Sequence, residues 1–170
     1  MLVLFGAAAI GLWYFSAQLL QNSLGFTALQ AGLGQTPAAV VFVVVARVAT
    51  VQVRRLKALV LCGSALLTGG FGWLAAAPHD YLSGVLGPTV LVAAGIGVLF
   101  PALMAAATAG VPAGEAGTAG GVASTANQAG AMLGLAVLAT LDGFGAVFAA
   151  AAGIGVALAG LSILLPRHMA

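Results

Sequence analysis

Residues 85–107 read Val-Leu-Gly-Pro-Thr-Val-Leu-Val-Ala-Ala-Gly-Ile-Gly-Val-Leu-Phe-Pro-Ala-Leu-Met-Ala-Ala-Ala, without a single charge. At 1.5 Å per residue a helix of this length spans about 34 Å, enough to cross the ~30 Å of hydrocarbon in a bilayer. Five further blocks have the same character: 2–20, 31–53 (broken only by Arg47), 58–77, 117–141 and 143–165. Lipid offers no hydrogen-bond partner to a backbone amide, so each block must be a helix or a strand of a closed barrel. Barrel strands are about half as long and alternate in polarity, and none of these blocks alternates. The expectation is an all-α, polytopic membrane protein in which residues 1–170 form one bundle of six transmembrane helices.

Composition agrees. Hydrophobic residues make up 62% of the chain and charged residues 5%, against roughly 45–50% and ~25% in soluble domains. So little charge cannot cover a solvated surface, and the bilayer is the expected partner. The net charge of +2 gives no sign of nucleic acid. Cys62 lies in mid-block with no second cysteine to pair with, and free cysteine packs as a small hydrophobe. The first block lacks a basic start and is too long for the apolar core of a signal peptide, so it reads as a retained helix.

The charges fix a topology. Arg54, Arg55 and Lys57 crowd the connection between the second and third helices, and an excess of Lys and Arg marks cytoplasmic loops. Alternation then places both termini and the 111–115 loop inside, as Arg167 near the C-terminus suggests. Residues 21–30, the 78–83 turn with His79 and Asp80, and the tight turn at Asp142 fall outside. A multi-pass protein of the plasma membrane with both termini cytoplasmic is expected.

The polar residues within the blocks are the candidate site. Tyr14, Gln18 and Asn22 recur every fourth residue and so stack on one helix face, with Phe15 beside them. Gln35 lies near the outer end of the second helix, and the fifth helix carries Thr125, Asn127 and Gln128. Each amide can serve as a hydrogen bond between helices; as an aligned set they read as the lining of a substrate cavity. Arg47, the one charge within a block, is either a side chain snorkelling to the headgroups or a functional intramembrane group. Small-residue spacings at Gly117/Gly121 and Gly130/Gly134 predict close helix packing.

Chemistry is bounded by what the chain lacks. No Asp, Glu or His falls at membrane depth, so no buried proton carrier is supplied here. The sequence holds no GxxxxGK[ST], no HExxH and no paired cysteines. No catalytic residue, metal ligand or cofactor is assigned, and an enzyme is not expected.

Two stretches resemble a known family. Leu20-Gln21-Asn22-Ser23-Leu24-Gly25-Phe26-Thr27-Ala28-Leu29-Gln30-Ala31-Gly32-Leu33 is similar to the outer loop between the seventh and eighth core helices of major facilitator superfamily transporters, closest to the fourteen-helix drug:proton antiporters. The run from Val111-Pro112-Ala113-Gly114-Glu115-Ala116-Gly117 through Ser124-Thr125-Ala126-Asn127-Gln128 to Gly130 and Gly134 resembles a later loop and helix of that subgroup, and residues 95–101 the helix before it. The resemblance implies the C-terminal six-helix half of a multidrug efflux protein, exporting small amphipathic substrates in exchange for protons. It also implies that Arg54, Arg55 and Lys57 stand in the cytoplasmic gating loop. That loop here lacks the family's glycines and aspartate, Asn127 stands where arginine is common, and the 140–144 connection is short.

The implied substrate cavity lies between two halves, and the N-terminal half would carry the proton-linked carboxylates. A C-terminal portion inactive by itself is therefore the leading expectation. Alternatives are a half-transporter acting as a homodimer or with a separate N-terminal half, and a membrane scaffold subunit without transport.

Overall fold

The computed structural model describes residues 1–76 and 80–164, apart from the side chains of Arg54, Ala113 and Leu164. His79 and Arg167 lie outside the described residues. Six helices follow one another: α1 Leu2–Asn22, α2 Ala28–Val51, α3 Leu56–Ala76, α4 Gly87–Thr108, α5 Ala116–Leu138 and α6 Phe144–Leu161. Short 3₁₀ turns stand at Val53–Arg55, Ala113–Glu115 and Ser162–Leu164, and a π-helical turn, Tyr81–Leu86, leads directly into α4.

Local chemistry sets the helix boundaries. Helix α2 begins three residues earlier than block 31–53 suggests because Thr27 and Gln30 close a capping box. The Thr27 hydroxyl accepts the Gln30 N–H (3.3 Å) and the Gln30 side-chain oxygen accepts the Thr27 N–H (2.9 Å). Two orphan donors of the helix end are satisfied reciprocally. Before α4, the Asp80 carboxylate accepts the Ser83 N–H at 2.9 Å and the Ser83 hydroxyl at 2.8 Å. Those bonds, the backbone one foremost, hold its carboxyl below the usual carboxylate range. Helix α5 stops at Leu138, three residues short of block 117–141. Thr140 and Leu141 turn tightly back onto the Val137 and Leu138 carbonyls, and Gly143 (φ +82°) reverses the chain into α6 in a conformation that side chains disfavour.

Helices α1 and α4 are the centre of the bundle, and each touches four other helices. Helix α5 packs chiefly on α1, α2 on α4, and α3 lies between α4 and α6. Glycines allow the close approaches: a Cβ on Gly63 would lie 3.0 Å from the Gly95 carbonyl oxygen across α3–α4, and one on Gly97 2.9 Å from the Phe42 carbonyl oxygen across α4–α2. The core is aromatic and aliphatic, with Phe71 stacked on Phe148 (6.2 Å between ring centres) and Phe5 against Phe100 (6.0 Å).

Five of the six helical segments, α5 excepted, are long and apolar enough to cross a membrane. Helix α5 has 23 residues, sufficient in length, but Thr118, Ser124, Thr125, Asn127 and Gln128 lower its apolarity. The least apolar helix is thus the one that carries two of the candidate amides, Asn127 and Gln128.

Candidate functional site

The α1 residues form a hydrogen-bonded ladder. The Asn22 amide N–H donates to the Gln18 side-chain oxygen (3.3 Å), and the Gln18 N–H donates to the Tyr14 hydroxyl oxygen (3.1 Å). One helical turn separates each rung from the next. Tyr14 is 42% exposed. Phe15, expected beside the ladder, points into the core at 7% exposure and meets the Tyr14 ring edge-on (5.1 Å, 89°). It supports the ladder from behind instead of standing on its open face.

Gln35 joins α2 to α1: the buried Ser16 hydroxyl is shared between the Leu12 carbonyl and the Gln35 side-chain oxygen, the latter at 3.3 Å. On α5, Thr125 donates back to the Gly121 carbonyl (2.9 Å), while Ser124 and Gln128 are exposed. Asn127 faces the other way. Its side-chain oxygen is buried at the α1–α5 contact without a hydrogen-bond partner, and a Cβ on Gly6 would come within 3.0 Å of it.

The register of α1 on α5 separates these groups. A Cβ on Gly130 would collide with the Val3 carbonyl, one on Gly134 with Ala7, and one on Gly11 would touch Leu138 at 3.3 Å. All three pairs differ by 127 positions, so the helices run parallel in fixed register and Gln128 lies level with Met1. Gln18 is seventeen residues farther along, about 25 Å at 1.5 Å per residue. Helix α1 continues eleven residues beyond its contact with Leu138, the last residue of α5. The Tyr14–Gln18–Asn22 ladder therefore stands past the end of α5, about 20 Å or more along the axis from the level of Gln128. The structure divides the expected cavity set into an α1 ladder, an α1–α2 tie at Gln35, an exposed α5 flank of Thr125 and Gln128, to which Ser124 adds, and Asn127 on the face toward α1.

The two glycine pairs also part company. Gly130 and Gly134 receive α1 backbone, whereas a Cβ on Gly117 or Gly121 would meet nothing within 4 Å. Arg47 is exposed on α2, on the side away from the buried Ala31, Ala38 and Ala49, four residues before the helix ends at Val51. Arg55 is exposed in the turn between α2 and α3, and Lys57 half-buried at the start of α3. Sequence reasoning missed Ser16 and Tyr81. The Tyr81 hydroxyl donates to the Gly34 carbonyl at 3.0 Å, tying the start of the α4 segment to α2. Only its position directly after the loop Asp80 signalled it.

Comparison with known proteins gives a consistent result. The cephamycin export protein CmcT of Amycolatopsis lactamdurans is 37% identical over 149 residues, which cover 85% of this chain and 31% of that protein. The match thus spans under a third of the relative's length. Residues 1–135 match the Major Facilitator Superfamily. With five helices long and apolar enough to cross a membrane and residues 1–135 matching that family, the chain is a multi-pass membrane protein, and it belongs to the Major Facilitator Superfamily.

Proposed function

We propose that this bundle is the C-terminal six-helix portion of an exporter that moves small amphipathic molecules out across the plasma membrane by exchange for protons, and that it does not transport by itself. In this reading α5 is the sixth crossing and both termini are cytoplasmic. The observation that carries the proposal is the exposed polar flank of α5. Ser124, Thr125 and Gln128 stand near the middle of a helix whose opposite face is welded to α1 through Gly130 and Gly134. Polar groups at membrane depth are costly against lipid and belong against a water-filled cavity or another helix. A second transporter half facing this flank would complete such a cavity. The export role named for the CmcT relative supports the direction of transport, and the ordered resemblance of residues 20–33 and 111–134 supports the assignment to the C-terminal half.

The Arg54–Lys57 turn is the cytoplasmic gate in this reading, and Arg47 reaches toward the headgroups from the last turn of α2. The described helices offer no carboxylate for proton exchange, so the proton-linked groups belong to the other half. The test is accumulation of ethidium in cells. Cells expressing this chain alone accumulate as much dye as cells with empty vector. Extrusion by this chain alone that is lost on Gln128→Ala would overturn the claim of inactivity.

A further inference from the structure

Helix α2 sorts its residues by size. Its buried positions, Ala31, Ala38 and Ala49, are small and face the bundle. The opposite side carries Val40, Val43, Val44, Val48 and Val51, each more than half exposed. These recur at the three- and four-residue spacings of a single helix face, and Arg47 stands exposed within their row. From Val40 to Val51 the row rises about 16 Å, which is one leaflet of the ~30 Å hydrocarbon layer.

Size bears on what covers the row. Helices of this bundle meet through small residues, as at Gly63 against Gly95 and Gly130 against Val3, and small residues mark helix contacts in membranes generally. A row of β-branched side chains without glycine or alanine holds another backbone off and suits acyl chains.

Charge bears on which lipid. Arg47 lies four residues before α2 ends at Val51, and Arg55 four residues after that end, exposed in the following turn. The three carboxylates, Asp80, Glu115 and Asp142, precede α4, α5 and α6, so none stands on α2 or its turn. An arginine fork holds two phosphate oxygens in parallel hydrogen bonds. Each cation near a membrane surface adds about a fivefold preference for anionic lipid.

We propose that this face binds one anionic phospholipid of the adjoining leaflet, its phosphate between Arg47 and Arg55 and an acyl chain along the valine row. The site shares no residue with the polar flank of α5, so its failure would leave the export proposal standing.

Native mass spectrometry of the whole chain in detergent tests the site, with phosphatidylglycerol and phosphatidylcholine of identical dioleoyl chains as probes. Phosphatidylglycerol is retained at least tenfold more tightly. Arg47→Gln and Arg55→Gln each weaken its binding about fivefold and leave phosphatidylcholine binding unchanged, while Arg47→Lys, which keeps the charge, retains most of the preference. Arg167→Gln removes an equal charge near the C-terminus without effect. All variants keep the helical signal at 222 nm, since Arg47 and Arg55 are exposed. Equal retention of the two lipids, a loss on Arg167→Gln as large as on Arg47→Gln, or displacement of the lipid by millimolar inorganic phosphate would each overturn the proposal.

Discussion

At the scale of single residues, two glycine pairs with identical spacing have opposite environments. A side chain at Gly134 meets Ala7 backbone, and one at Gly121 meets open space. Overpacking a tight contact costs about 1–3 kcal/mol and often more. Gly134→Leu is therefore expected to lower the thermal midpoint in detergent sharply, and Gly121→Leu to leave it within a degree or two, by circular dichroism at 222 nm. Asp80 gives a pH prediction. Its carboxyl is held below its ordinary value of 3.8 by bonds to Ser83. A depressed acid stabilises the fold above its unfolded pKa, and that contribution is lost as pH falls through the lower folded value. The protection factor of the Ser83 amide, its exchange relative to the intrinsic rate at the same pH, should thus fall as pH drops below the ordinary carboxyl value of 3.8, and Asp80→Ala should give low protection at neutral pH too. An Asp80→Ala variant whose Ser83 amide stays protected would contradict the cap.

At the scale of helices, the lengths of the apolar blocks were enough to locate all six elements, because a span in lipid has few alternatives to a helix. Their ends were less legible, since caps override hydropathy. The Thr27–Gln30 box was present in the sequence as Thr-Ala-Leu-Gln yet lies ahead of the apolar block. Thr27→Ala removes it and should cost about 1 kcal/mol, read as a lower denaturation midpoint with faster exchange confined to residues 28–31. The candidate site was half legible. The four-residue recurrence of Tyr14, Gln18 and Asn22 correctly put them on one face, as their hydrogen bonds record. Periodicity along one helix carries no information about its register on a neighbour. The 127-position offset on α5, which separates Gln18 from Gln128 by about 25 Å, is therefore invisible until Val3 is seen against Gly130.

At the scale of the molecule, five helices qualify as spans by length and apolarity while α5 does not, and the export proposal depends on α5 crossing as well. Its polar flank is tolerable in a bilayer only when covered, so the argument for a facing transporter half and the argument for six crossings stand together. Cysteine labelling on either side of α5 tests this most directly. In a Cys62→Ser background, Glu115→Cys and Asp142→Cys flank the helix, both at exposed positions. The account predicts that a membrane-impermeant maleimide labels Asp142→Cys in intact cells, and Glu115→Cys only in inside-out vesicles. Labelling of both positions from the same side would contradict it.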